Sequence, residues 1–300
     1  MTIRLSESFR ALFYAPFYAA EATGAFKAAG VDVELKPSPD PPAAARALMA
    51  DDVDVMWGGP LRVMIAHHAD PNSPLVCFCD VVARDPFLII GRTPRVDFTL
   101  ADLPKLKFAS VSEVPTPWIC LQDDLRRAGI DPASLNRVTD RTMAENEAAL
   151  RAGTIDALQV FQPFAENLIR SGAGHLWYAA ANRGLTAYTT LVTRRDVLES
   201  RVDELTAMTK AVHRTLVWLA TTPASEIARL LQRYFPDVPA TIFAQCIERY
   251  RGLSLWGADP VIRREGVDRL HAAMRSAGTL THDIAFEACV DNTVALKAMT

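Results

Sequence analysis

Apolar runs alternate with amphipathic segments along the first two thirds of the chain. Wholly apolar runs or runs of period two predict strands at 2–6, 31–36, 53–57, 75–82, 87–92, 106–111, 155–161 and 175–179. The intervening segments predict helices at 16–23, 43–51, 61–68, 117–128, 143–152 and 163–171. Because strands and helices alternate with short connections, the pattern predicts α/β lobes with mostly parallel, helix-covered sheets.

The last third of the chain has a helical pattern only. Apolar residues recur every three or four positions from Val202 to Leu219, which predicts one long helix with a single buried stripe. Further helices are predicted at 224–234, 240–251 and 261–277. These helices have no strands of their own to cover, so we expect them to pack on the first lobe.

The strand–helix alternation restarts after 93–95, and the chain is predicted to cross back around 184–193. This arrangement divides the chain into a discontinuous first lobe, 1–92 with 187–300, and an inserted second lobe, 93–186. A length of 300 residues also favours two lobes over one core. Two lobes joined by two crossings enclose a cleft, which is where small ligands usually bind.

Composition excludes several classes of function. The net charge is −3 and charges of both signs are interspersed, so we expect neither a nucleic-acid surface nor a polybasic membrane surface. No apolar run approaches the roughly 20 residues of a membrane span. The odd number of cysteines, 5, favours a reducing compartment over a disulfide framework.

The ends of the predicted strands hold the candidate ligand-binding residues, because open α/β sheets bind ligands just outside the carboxyl ends of their strands. The candidates are rings, turn glycines and hydrogen-bonding side chains: Phe13, Tyr14, Trp57, Gly58, Gly59, Ser112, Glu113, Thr116, Trp118, Gln162 and Tyr188. The turn before Pro60 would offer free N–H groups and a partial positive charge to an anionic or polar group. The structural alternative is that the rings are core, the glycines only shape a turn, and Thr116 caps a helix.

Three segments resemble a known family. The opening 13–35, with its aromatic loop, Pro16 and two glycines, resembles the signature of the NMT1/THI5-like group. Val53-Asp54-Val55 before a glycine turn and the segment 153–157 match later parts of that signature in the same order. The resemblance runs from about residue 3 to 222. It implies an α/β type II periplasmic-binding-protein fold, with two lobes closing on a ligand cleft.

The resemblance also implies a function. The group contains substrate-binding proteins of ABC importers, so we expect reversible capture of a small polar or heterocyclic solute, with an ABC permease as a further partner. No catalytic residue, metal or cofactor is expected. The family location is the periplasm, but the printed sequence begins Met1-Thr2-Ile3 without a leader, which predicts a cytoplasmic protein if this start is native.

An enzyme or metabolite sensor on the same fold is the alternative. The family's pyrimidine synthase holds pyridoxal phosphate on a lysine, but Arg62 stands at that position and cannot form the Schiff base. Ala66 replaces the synthase histidine, and 186–193 lacks its cysteines. Family members often carry Glu where this chain has Gln162, which disfavours an aminopyrimidine ligand.

Two clusters of polar residues receive structural interpretations. His67 and His68 are adjacent and therefore do not share a helix face, and Cys77 with Cys79 on a strand is typical of core, so a metal site is not expected there. Ion pairs at the hinge are expected for three charged residues near the end of the strand that holds Cys77 and Cys79: Asp80, Arg84 and Asp85.

Overall fold

Two five-stranded sheets form the centres of two lobes in the structure, a computed structural model that describes residues 2–300. The first sheet has the order β2-β1-β3-β10-β4. Its strands are β1 (Ile3–Glu7), β2 (Val33–Pro37), β3 (Val55–Gly58), β4 (Leu75–Val82) and β10 (Thr189–Arg194). The strand β10 runs antiparallel to both of its neighbours, and β1 pairs in parallel with β2 and β3.

The second sheet repeats this plan with the order β7-β6-β8-β5-β9. Its strands are β5 (Leu88–Gly91), β6 (Lys107–Ala109), β7 (Asn136–Val138), β8 (Ala157–Val160) and β9 (His175–Ala179). Here β5 is the antiparallel member, between β8 and β9. Each sheet is therefore mostly parallel with one reversed strand, and the predicted two-lobe α/β fold is confirmed.

The first crossing between the lobes lies earlier than expected. The predicted boundary at residue 92 put the strand 87–92 in the first lobe, but β5 pairs only with second-lobe strands. All four residues of β5 are buried. A wholly apolar strand fits either sheet equally well, so the pattern could not assign it. The crossings span 83–87 and 180–188, and β10 follows the second one where no strand was predicted.

Helices cover both sheets. Those of the two α/β lobes are α1 (Ala15–Ala22), α2 (Ala25–Ala28), α3 (Pro41–Met49), α4 (Pro60–Ala69), α5 (Thr116–Arg127), α6 (Met143–Arg151) and α7 (Phe164–Arg170). Those after β10 are α8 (Arg195–Ser200), α9 (Val202–Thr221), α10 (Ala224–Leu231), α11 (Ala240–Gly252), α12 (Arg264–Ser276), α13 (Phe286–Cys289) and α14 (Thr293–Ala298). The predicted stripe of α9 is buried, and this helix packs against α1, α2 and α14 of the first lobe.

A buried ion-pair network ties the two crossings together. Nη1 of Arg183, in the second crossing, lies 2.5 Å from Oδ2 of Asp85 in the first. Nε of the same guanidinium donates to Asp124 of α5 at 2.9 Å. Burial opposes the charge of Arg183, but the two carboxylates outweigh it and raise its pKa. Asp85 thus forms the predicted hinge ion pair, whereas Asp80 and Arg84 have no ion pair with any described residue.

Among residues 2–300, no helix combines the length and apolar character needed to cross a bilayer. All five cysteines are buried and unpaired with one another. Burial raises the pKa of each thiol, which keeps the thiols protonated.

Candidate ligand cleft between the lobes

A narrow cleft lies between the carboxyl ends of β1 and β3 and the start of α5. It is lined by polar, aromatic and small residues of both lobes: Ser8, Phe9, Tyr14, Pro41, Gly58, Gly59, Leu61, Arg62, Val114, Pro115, Thr116 and Tyr188. Its free volume is about 40 Å³, which is room for a few water molecules. A larger solute can therefore enter only if the lobes separate.

Five of the predicted site residues line this cleft. Tyr14, Gly58 and Gly59 contribute from the first lobe, Tyr188 from the end of the second crossing, and Thr116 from the second lobe. Gly59 precedes α4, and a Cβ there would lie 3.2 Å from the carbonyl oxygen of Tyr188. The glycine is therefore favoured by close approach of two chain segments, and not by its backbone angles. Whether these five residues contact a ligand stays a prediction.

The floor of the cleft is a cluster of aromatic rings from both lobes. Phe13 has no exposed surface, and its ring packs edge-on against Phe161 of the second lobe at 5.4 Å and Tyr188 at 6.0 Å. Phe87, in the first crossing, packs against Phe161 at 5.3 Å. Phe13 was predicted as a cleft wall, but the structure places it beneath the surface, as part of the contact that holds the lobes together.

Trp57 was also predicted to face the cleft, and the structure places it in the core of the first lobe. Its exposed fraction is 0%, and its ring stacks on Phe17 with centroids 4.4 Å apart. Tyr14 lies between this indole and the cleft, 5.7 Å from its centroid. The side chains of β3 alternate between faces, so a ring at this position enters the helix layer formed by α1.

Two polar side chains of the loop before α5, Ser112 and Glu113, do not line the cleft. Ser112 Oγ donates to the carbonyl of Arg141 at 2.8 Å, and Glu113 Oε1 accepts from the main-chain N–H of Met143 at 2.7 Å. Both side chains are therefore used to hold the loop that leads into α6. Trp118 packs on the other side of α5, under the guanidinium of Arg137 at 3.8 Å.

Gln162 is fully buried and joins the second lobe to the C-terminal helices. Its Oε1 accepts from the N–H of Glu166 at 2.9 Å, and its own main-chain N–H donates to the hydroxyl of Tyr250 on α11 at 3.0 Å. The peptide bond to Pro163 is cis. Gln162 does not line the cleft as the lobes now stand.

Arg62 lines the cleft but was not among the residues predicted to bind a ligand. It is half-buried in the first turn of α4, and no carboxylate of residues 2–300 lies within ion-pair distance of it. Burial lowers the pKa of Arg62, and the negative charge of Asp40 opposes this only in part. A guanidinium nevertheless stays charged. The available signal was its position two residues after Pro60, where a helix start meets the cleft.

Two helix N-termini open on the same space. α4 begins after Gly59 and α5 begins at Thr116, and neither has a side-chain cap. The alternative in which Thr116 caps α5 is therefore wrong. Uncapped N–H groups and the partial positive charge of a helix start both favour an anionic group. Within the described chain, no three His, Cys, Asp or Glu side chains converge as they would around a metal ion.

Two mixed α/β lobes around a cleft define the periplasmic-binding-protein fold. The model of the NMT1-like family matches residues 9–232, so the chain belongs to this family and the predicted resemblance is confirmed. A curated relative from Bacillus subtilis (strain 168) is named "Putative binding protein YtlA". It is 23% identical over 297 residues, which is 98% of this chain and 89% of the relative.

Solved structures share the fold at low sequence identity. The periplasmic aliphatic sulphonate binding protein SsuA from Escherichia coli superposes with a TM-score of 0.77 at 16% identity, over 94% of both chains. The desulfurization enzyme DSZB superposes with a TM-score of 0.70 at 13% identity, over 99% of this chain and 98% of that one. The fold is therefore shared by binding proteins and by at least one enzyme.

Proposed function

We propose that this protein is the solute-binding component of an ABC-type importer and reversibly captures a small anionic organic solute between its lobes. Membership of the NMT1-like family and a curated relative named as a binding protein support the binding role. The fold shared with the sulphonate binding protein supports a hinged two-lobe clamp. An ABC permease is the partner that this role requires.

The unpaired guanidinium of Arg62 carries the proposal that the solute is anionic. Burying a charge without a partner is costly, and an arginine normally recovers that cost through charge-assisted hydrogen bonds to a carboxylate, phosphate or sulfonate. Here the protein supplies no such partner among residues 2–300. The adjacent start of α4 adds a second attraction for the same anionic group.

The other polar lining groups are neutral. Burial raises the pKa of Tyr14 and of Tyr188, so both phenols stay protonated near neutral pH. Their hydroxyls and that of Thr116 can exchange hydrogen bonds with a ligand, and the rings of Phe9, Tyr14 and Tyr188 offer an apolar surface. A solute with one acidic head and a short apolar or aromatic body suits this lining.

Capture without covalent chemistry is the form of the proposal that the residues favour. Arg62 stands where the family's synthase needs a lysine, and the buried cysteine thiols are protonated and therefore weak nucleophiles. Since the fold is shared with a desulfurization enzyme, the chemical fate of the bound solute has to be measured.

A thermal-shift screen tests the proposal. The panel contains alkanesulfonates and aromatic carboxylates, each beside a neutral isostere such as the matching alcohol. Aminopyrimidines are included as neutral heterocycles. A true ligand at 100 times its Kd should stabilise the fold by about 2.7 kcal/mol. We expect shifts with anions only, and mass spectrometry should recover the ligand unchanged. Equal shifts with the neutral isosteres, or no shift with any anion, would contradict the proposal, and a changed ligand would indicate an enzyme.

A further inference from the structure

A second cavity lies against the hinge and shares no lining residue with the cleft. Its volume is about 190 Å³. It is enclosed by the end of β4, both crossings and the loop between α11 and α12: Asp80, Ala83, Arg84, Leu185, Ser254, Trp256, Gly257, Ala258, Asp259, Val261 and Arg263. Nothing in the solute-binding role uses this space.

The carboxylate of Asp80 is the unexplained group in this cavity. Its exposed fraction is 4%, and its Oδ1 has no hydrogen-bond partner within the described chain. The neighbouring carboxylate, Asp259, is already paired with Arg263. Arg84 forms no ion pair with Asp80, and its Nη1 donates to the carbonyl of Ala181 at 3.3 Å. A buried carboxylate oxygen without a partner is costly unless the group is protonated or meets a cation.

A second oxygen lies beside the carboxylate. The position that a Cβ at Gly257 would occupy is 3.2 Å from Oδ2 of Asp80 and 3.1 Å from the main-chain oxygen of Asp259. The absence of a side chain at Gly257 therefore leaves these two acceptors facing a common space. The indole of Trp256 is a further wall of the cavity, and its Nε1 is occupied by a hydrogen bond to the carbonyl of Phe13 at 2.9 Å.

We propose that this cavity is a second binding site, for a small organic ammonium ion. The N–H groups of this ion would donate to Asp80 and to the main-chain oxygen of Asp259. The ion would also lie against the ring of Trp256, as cations do on aromatic faces. A metal ion fits less well, because no cluster of three His, Cys, Asp or Glu side chains is present among residues 2–300. The volume also exceeds what a bare ion would fill.

The protonation of Asp80 makes binding depend on pH. Burial raises the pKa of Asp80 to about 7; a hydrogen bond from the main-chain N–H of Val81 opposes the rise, Asp259 adds to it, and Arg263 opposes it. The titratable and charged groups that face it from its own strand, the adjacent loop and the crossing are Cys77, Cys79, Asp259, Arg263 and Arg84. The cation binds the ionised carboxylate, so affinity should rise with pH and fall about tenfold between pH 8 and pH 6.

Titration with ethylammonium chloride tests the site, with sodium chloride at equal ionic strength and ethanol as controls. The indole N–H resonance of Trp256 and the melting temperature report binding. We expect a saturable change with ethylammonium alone. Asp80→Asn removes the charge, and Gly257→Ala fills the space before the oxygens, so each should weaken binding at least tenfold. The matched controls are the exposed Asp268→Asn and Gly252→Ala, whose Cβ meets nothing within 4 Å.

Three results would overturn the proposal: no saturable change in the wild-type protein, unchanged affinity in Asp80→Asn or Gly257→Ala, or equal competition by potassium. The wild-type titration and the glycine variant decide the matter even if Asp80→Asn does not fold. Failure of this site would leave the cleft proposal intact, because the two cavities share no residue.

Discussion

At the scale of single residues, burial separates structural from functional candidates. Residue type alone favoured Trp57 as a ligand contact, but the indole is completely buried against Phe17. Arg62 was considered only as a missing lysine, and it is the charged group that lines the cleft. A sequence shows which residues follow a strand, but it does not show which of two faces a side chain takes when both neighbours are apolar.

The ion pair between the crossings gives a prediction at this scale. Arg183→Met leaves Asp85, which has 0% exposed side chain, without its partner. Breaking a buried pair on one side typically costs about 3–5 kcal/mol. Urea denaturation should show this loss of stability. The double variant with Arg183→Met and Asp85→Asn should recover part of it. Arg170→Met, at an exposed arginine that forms no ion pair within residues 2–300, is the control. A loss below 1 kcal/mol in the Arg183 variant would show that the pair behaves as a surface pair.

At the scale of elements, periodicity predicted most strands and helices, but not the sheet to which each strand belongs. The apolar strand β5 fits either lobe, and only its pairing with β8 and β9 decides. The segment that forms β10 was interpreted as part of the return crossing, and threonines interrupt its apolar pattern. These threonines are buried, and Thr193 Oγ1 donates to the carbonyl of Asp54 at 2.7 Å. Such long-range partners cannot be found from local pattern.

Helix starts are more local, and α6 offers a test. Thr142 Oγ1 accepts from the N–H of Glu145 at 3.2 Å, while the Glu145 carboxylate accepts from the N–H of Thr142 at 2.7 Å, which is a reciprocal capping box. Thr142→Ala should cost about 1 kcal/mol of unfolding free energy. The exposed side chain of Thr241 in α11 makes no hydrogen bond to another residue of 2–300, so Thr241→Ala should cost nothing. Equal stability of the two variants would show that the cap contributes nothing.

At the scale of the whole molecule, the two lobes meet through aromatic rings and enclose little free space. The order of lobes was predictable from the restart of the strand–helix alternation, because crossings follow from chain connectivity. The free volume of the cleft, about 40 Å³, was not predictable, since it depends on how Phe13, Phe161 and Phe87 pack together. We expect ligand entry to require separation of these rings.

The central claim is that the cleft binds an anionic solute through Arg62. Isothermal titration calorimetry with the best anion from the thermal-shift screen tests it directly, on the wild-type protein, Arg62→Gln and Arg46→Gln. Arg46 is an exposed arginine on the neighbouring helix α3 and does not line the cleft. Loss of a hydrogen bond between charged groups is worth about 1.5–3 kcal/mol. Arg62→Gln should therefore bind about 10- to 100-fold more weakly, with Arg46→Gln unchanged. Equal affinity of Arg62→Gln and the wild-type protein would contradict the account.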